Sequence, residues 1–162
     1  MKNIICYILF MVSIHLFSQE NDLIQWKSIQ QADSIQQKGD QRLILVDIYT
    51  EWCGPCKLMD RYTFHDQKVV DYINENFIPV KFNAESKENV TFKGKSYQWV
   101  SNGRGGGIQA LAYFTLGGEV SYPSIALINA RGETVFVITG FYQADDFLET
   151  VKNVKKEIID KI

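Results

Sequence analysis

The chain has 162 residues, 46% hydrophobic and 22% charged, the balance of one globular domain with its own core, which excludes a disordered or fibrous chain. Its formal charge is -2 and its Lys and Arg residues are scattered, so it has no basic face to hold phosphates and nucleic acid is not an expected partner. No repeat recurs at the roughly 20 to 50 residue periods of solenoids.

Lys2 is followed by the apolar run "IICYILFMVSIHLF" from Ile4 to Phe17, and at Ser18, Gln19 and Glu20 the chain turns polar. The run is shorter than the roughly 20 apolar residues that cross a bilayer, so the pattern predicts a secretory signal over residues 1–18, with a retained signal anchor as the alternative. The product is then an exported domain over residues 19–162, periplasmic in a Gram-negative cell. Removal of the signal takes Cys6 and His15 away and leaves Cys53, Cys56 and His65.

The domain opens with a predicted helix from about Leu23 to Lys38, closed by Gly39. "LILVDIY", from Leu43 to Tyr49, is apolar except for Asp47 and predicts a strand covered on both faces, as in a parallel sheet. Gly54 and Pro55 then open a helix carrying Leu58, Met59 and Tyr62 at helical spacing. Asp66 caps a further helix through "QKVVDYINENF", whose Val69, Val70 and Ile73 make one face, and the strand "FIPVKFN" completes a strand–helix–strand unit. Beyond a stretch of about 38 residues (84–121), "SIALIN" and "TVFVITG" are strands joined by a turn at Gly132, and "QADDFLETVKNVKKEIIDKI" is an amphipathic closing helix.

Within residues 84–121, "VTFKGKSYQW" predicts a hairpin turning at Gly94, and "GIQALAYF" predicts a helix. "GRGGG" follows no clear strand and lacks dinucleotide-binding spacing, so it reads as a flexible turn. Tyr97, Trp99, Tyr113 and Phe114 either pack this segment down, the favoured reading, or build a partner-binding wall near the site.

Cys53 and Cys56 admit three readings: a staple, half of a zinc site, or a redox pair. A bridge closing so short a loop removes little entropy from the unfolded chain. Zinc needs four ligands, and no second CxxC or His pair supplies the remainder. Redox exchange therefore leads. Residues three apart on a helix lie on one face with Cα atoms roughly 5 to 6 Å apart, within disulfide reach. Cys53, at the positive end of the helix dipole, is expected to be the reachable, thiolate-stabilised nucleophile, and Cys56 the shielded resolving thiol one turn deeper. Burial should raise the pKa of Asp47, six residues before Cys53, so that it shuttles the proton of Cys56; the alternative is a satisfied strand-end carboxylate.

"WCGPCK" after "LVDIYTE", then "VKFN", "YPSIALIN" and "ITGFYQADDFLETV", resemble the thioredoxin superfamily. "YTFHDQKVV" is similar to the exported C-terminal domain of bacterial thiol:disulfide interchange proteins. The resemblance implies an α/β thioredoxin fold, a central mixed β-sheet flanked by helices, with the 84–121 insert before a cis-proline loop. It makes Cys53 the nucleophile and Cys56 the resolving thiol, and it makes Tyr122-Pro123 a cis peptide facing the disulfide. Asp47 takes the place of the family's buried carboxylate, Lys81 that of its neighbouring lysine, and Asp60 that of a second acid. Asp60 otherwise reads as an exposed helix carboxylate beside Lys57 and Arg61. Trp52, Gly54, Pro55, Tyr122 and Pro123 form the expected substrate-facing surface, with a merely packed Trp52 as the alternative. The insert and the Gly-Pro pair depart from the interchange subgroup. The function implied is reduction of disulfides in exported proteins by a monomer recharged by a membrane thiol electron donor. Neither metal nor cofactor beyond the Cys53–Cys56 disulfide is expected. An oxidase or isomerase, or a binding or chaperone module with an idle CxxC, are the alternatives.

Overall fold

A computed structural model describes residues 23–160, so the expected signal segment, with Cys6 and His15, lies outside the described residues. Among the described residues no helix is long and apolar enough to cross a membrane. The elements, in chain order, are α1 (Ile29–Gln37), β1 (Ile44–Tyr49), α2 (Gly54–Leu58), a π-helical turn (Met59–Thr63), α3 (Gln67–Asn76) and β2 (Ile78–Asn83). The insert holds β3 (Val90–Phe92), β4 (Lys95–Tyr97), β5 (Trp99–Ser101), β6 (Gly107–Gln109) and α4 (Ala110–Thr115). β7 (Ser124–Ile128), β8 (Thr134–Thr139) and α5 (Ala144–Ile159) close the chain.

The central sheet runs β2-β1-β7-β8, with β1 parallel to β2 and the other pairs antiparallel, the mixed sheet expected from the strand–helix–strand unit. Alternation along each strand divides its residues between two cores. Ile44, Val46 and Ile48 of β1 join Ile78 and Val80 of β2 on one face, under α1 and the insert. Leu45 of β1 joins Ile125 and Leu127 of β7 on the other, where α3 supplies Val69, Val70 and Ile73 and α5 supplies Phe147, Val151 and Val154. Asp47, two residues after Leu45, belongs to this second face, the side of the active-site helix.

The N-terminal helix is shorter than expected. Leu23 to Lys27 is not helical, and Lys27 bridges in parallel to Val80 on the outer edge of β2. Ser28 starts α1 with a capping box, its Oγ accepting from Gln31 N at 3.2 Å while Ser28 N donates to Gln31 Oε1 at 2.8 Å. Asp66 caps α3 as expected, accepting from Lys68 N at 2.9 Å.

The insert corrects one expectation. "GIQALAYF" is not one helix: its first three residues are β6, paired with β5, and only Ala110 onward is helical. Gln109 decides the break. It is buried, its Oε1 accepts from Leu111 N at 2.6 Å as a helix cap, and its Nε2 donates to Tyr97 O at 2.9 Å. Gly107 is required beside it, since a Cβ there would lie 2.2 Å from Trp99 Cζ2. The hairpin does turn at Gly94, through a two-residue loop in which Lys93 (φ 49°) and Gly94 (φ 72°) are both left-handed. Tyr97 and Trp99 are partly covered, but Tyr113 and Phe114 are exposed, their rings edge to face at 5.7 Å. Phe114 meets Tyr97 edge to face at 6.3 Å and lines a groove with Gly132 and Thr134, at the end of β7 and β8 opposite Pro123, so it packs on the insert and not beside the cysteines.

The insert is tied to α1 by a buried charge. Lys93 Nζ lies 3.0 Å from Asp33 Oδ1 and donates to Gln36 Oε1 at 2.9 Å, while Lys93 N donates to Asp33 Oδ2 at 3.0 Å. Lys93→Ala keeps the same backbone demand and strips Asp33 of its counter-charge. Its expected cost is about 2 to 3 kcal/mol, seen as a lower urea midpoint at unchanged m-value.

Candidate active site

β1 delivers the chain to a turn in which Cys53 N donates to Thr50 O at 3.2 Å, and Cys53 then becomes the N-cap of α2. Pro55 fits the first helical turn, where its missing N–H has no partner to lose. Cys53 and Cys56 are joined as a disulfide, Cα atoms 5.3 Å apart, and Cys56 N donates to Cys53 Sγ at 3.1 Å. One expectation fails here. Cys53 is 3% exposed and Cys56 4%, so the two do not divide into a reachable and a shielded sulfur in this oxidised state. Their immediate neighbours Trp52, Gly54, Pro55 and Lys57 are all exposed.

The helix after Cys56 also departs from a regular pattern. Past Leu58 it widens into the π-turn, with Phe64 N donating to Met59 O at 2.9 Å, and the His65 ring contacts the carbonyl of Asp60. Leu58 and Tyr62 face solvent, and only Met59 of the three expected apolar residues is buried. Such turns recur at functional sites because they re-aim side chains. Here Asp60 bonds Lys81 Nζ, which sets aside its reading as a solvated carboxylate beside Lys57 and Arg61.

Lys81 stands opposite Asp47 in the parallel β1–β2 register, and its Nζ donates to Asp47 Oδ2 at 3.0 Å. The same ammonium lies over the rings of Tyr49 at 5.1 Å, Trp26 at 5.3 Å and Phe64 at 5.8 Å. Burial penalises the charged carboxylate of Asp47, which is 2% exposed, more than Lys81 favours it, and its pKa rises to about 6. For Lys81 burial acts downward, but Asp47 and Asp60 outweigh it and leave the ammonium raised.

Tyr122-Pro123 is a cis peptide, as the resemblance implied. Its loop is held by Ser124 Oγ donating to Ser121 O at 2.9 Å and Gly140 N donating to Pro123 O at 2.9 Å. Trp52 is 66% exposed, so it is not a packed core residue. Its Nε1 donates to Glu85 Oε2 at 3.0 Å, and its ring meets Tyr122 edge to face at 5.9 Å. Burial, with the charge of Glu85 adding to it, pushes the Tyr122 phenol up to about 12. Sequence reasoning missed Glu85, and it missed Trp26, Tyr49 and Phe64 as walls around Lys81. The rings read as ordinary core aromatics, and Glu85 is one acid in a polar loop with no pattern to mark it.

Residues 30–155 match the thioredoxin-like domain family. The chain belongs to it. Among curated relatives, a thiol:disulfide interchange protein DsbD of Pseudoalteromonas atlantica is 24% identical over 138 residues, covering 80% of this chain and 20% of that protein. A second, from Campylobacter jejuni, is 25% identical over 67% of this chain and 16% of its own length, so the chain spans at most about a fifth of these relatives. Among solved structures, a disulphide-isomerase candidate from Bacteroides thetaiotaomicron is 29% identical, with a TM-score of 0.58 over 82% of this chain and 93% of that one. The α/β thioredoxin fold expected from the sequence is therefore the fold observed.

The state of Asp47 has a measurable consequence. An unfolded carboxyl, near 3.8, releases its proton before the folded one, near 6, so between those values the folded state holds the extra proton and stability falls as pH rises. The gap corresponds to about 3 kcal/mol, present below pH ~4 and lost above pH ~6. Urea unfolding of the wild type minus that of Asp47→Asn, measured from pH 4 to 8, should trace this fall; a flat difference would show an ordinary carboxylate.

Proposed function

We propose that this chain is an exported protein-disulfide oxidoreductase that reduces disulfides of other exported proteins by dithiol exchange at Cys53 and Cys56, recharged by a membrane thiol donor. The observation that carries this reading is the Cys53–Cys56 disulfide at a helix N-terminus, with Cys56 N–H directed at Cys53 Sγ, in a chain of the thioredoxin-like family. The names of the interchange-protein relatives and of the Bacteroides neighbour support thiol exchange as the chemistry. The apolar segment Ile4–Phe17 supports export.

In the reduced protein the Cys53 thiolate, favoured by the helix N-terminus and the Cys56 amide, attacks one sulfur of a client disulfide. The other client sulfur leaves as a thiolate, and a mixed disulfide joins Cys53 to the client. Cys56 then gives up its proton, for which Asp47 is the acceptor, and attacks Cys53 Sγ. The mixed bond breaks, the second client thiolate departs, and the internal disulfide closes. Lys81, shared between Asp47 and Asp60, sets the charge that Asp47 sees. Trp52, Gly54, Pro55, Tyr122 and Pro123 form the surface that meets the client. Two electrons from a dithiol donor restore the starting state; the disulfide pair is the whole redox apparatus.

The reducing direction rests on Gly54-Pro55 between the cysteines. The isomerase description of the Bacteroides protein favours a second reading, in which the same site runs the other way or shuffles bonds. A potential near the ~-270 mV of a reductant is expected by glutathione equilibration; one near ~-120 mV would overturn the direction. With insulin as substrate and dithiothreitol as donor, Cys53→Ser should abolish turnover and Cys56→Ser should trap a mixed disulfide. Asp47→Asn should slow turnover by roughly a hundredfold or more, the usual scale of a lost general base. Turnover unaffected by Cys53→Ser would remove the catalytic role.

A further inference from the structure

The buried state of Cys53 poses a question that the exchange chemistry does not answer. A thiol reagent must reach this sulfur, yet Cys53 is 3% exposed while the residues on either side of it lie open. Two neighbouring side chains tie the surrounding loops together. Trp52 belongs to the turn that carries Cys53, and Tyr122 to the loop that carries Pro123; their rings touch edge to face at 5.9 Å and so join the two loops. The indole is fixed by a second bond, from Nε1 to Glu85 Oε2 at 3.0 Å. Glu85 is itself placed by the end of β2, its N donating to Asn83 Oδ1 at 2.9 Å. Tyr122, half buried, has its phenol pushed up to about 12 by burial and then by Glu85, so it stays neutral and does not repel the carboxylate.

We propose that Glu85, Trp52 and Tyr122 form a clasp across the mouth of the disulfide, and that Glu85 is the positioning residue that sets how readily an incoming thiolate reaches Cys53. The inference rests on the exchange reading above. In the step it governs, a thiolate attacks Cys53 Sγ, the Cys53–Cys56 bond breaks, and Cys56 leaves as a thiolate that takes up a proton. With dithiothreitol, the second thiol of the reagent, as its thiolate, attacks the reagent sulfur of the mixed disulfide and displaces Cys53 as a thiolate; the reagent departs as a cyclic disulfide, oxidised by two electrons that now reside on the two cysteine sulfurs. A protein donor opens the clasp by offering its own contacts to Trp52; a small thiol has none to offer and must wait for the indole to swing away.

The test follows reduction of the intact disulfide by uncharged dithiothreitol in the wild type, Glu85→Ala, Glu85→Gln and Trp52→Phe. Loss of one hydrogen bond should speed reduction by roughly fivefold in Glu85→Ala. Trp52→Phe keeps a ring but has no N–H, so it should gain similarly, and adding Glu85→Ala to it should change little further. Glu85→Gln removes the charge yet keeps an acceptor, so it should recover most of the protection; a gain as large as that of Glu85→Ala would make the effect one of charge and overturn the clasp. Equal rates in all variants of a chain that turns over insulin would also overturn the clasp, with the exchange function intact. A chain that turns over no protein disulfide, yet shows the Glu85 dependence with dithiothreitol, would overturn that function and support the clasp.

Discussion

One ammonium organises the redox end of this molecule. Asp47 sits in a strand with no water to solvate it, and a lone buried carboxylate there would be costly. The parallel pairing of β1 with β2 puts Lys81 directly opposite, and the charge of Lys81 must then be balanced and shielded in turn. Asp60 balances it from the active-site helix, while Trp26, Tyr49 and Phe64 surround it from the N-terminal segment, β1 and the loop before α3. Segments far apart in the chain thus converge on one nitrogen, and the helix bearing the cysteines is fastened to the sheet through it.

The π-turn carries the residue that makes this fastening. Regular helical spacing after Cys56 would set Leu58, Met59 and Tyr62 on one apolar stripe. The structure gives up two of those burials, Leu58 and Tyr62, and in exchange gains the Asp60–Lys81 contact and buries Thr63 and Phe64. Thr63 Oγ1 also donates to Tyr142 O at 2.6 Å, joining the turn to the segment that leads into α5. Exposing two apolar side chains is tolerable, whereas leaving a buried ammonium short of counter-charge is not.

How much was legible in the sequence follows from which forces act locally. Strand β1, its apolar run and the lone Asp47, α3 with its Asp66 cap, and the cysteine pair were all readable, because periodicity and capping are properties of neighbouring residues. The cis peptide at Tyr122-Pro123 came only from family resemblance, since nothing in a Tyr-Pro pair announces it. The π-turn was invisible because its widened Phe64–Met59 bond leaves no signature in the spacing of neighbouring residues. "GIQALAYF" misled for a related reason: Gln109 looks like a tolerable helix residue until its amide is needed at once by Leu111 and Tyr97. Glu85 had no local signature at all, because its significance lies in an indole 33 residues earlier.

The two sulfurs present the sharpest departure, and it changes the kind of asymmetry the site possesses. In the disulfide form the two cysteines are equally buried, so exposure does not distinguish them in this state. What distinguishes them is electrostatic: Cys53 is the N-cap, and its sulfur accepts the Cys56 amide hydrogen at the start of the helix. Cys56 lies inside that first turn, on the strand face that holds a carboxylate reluctant to ionise. Backbone dipoles at the start of a helix favour an anion at the cap position and do so independently of pH.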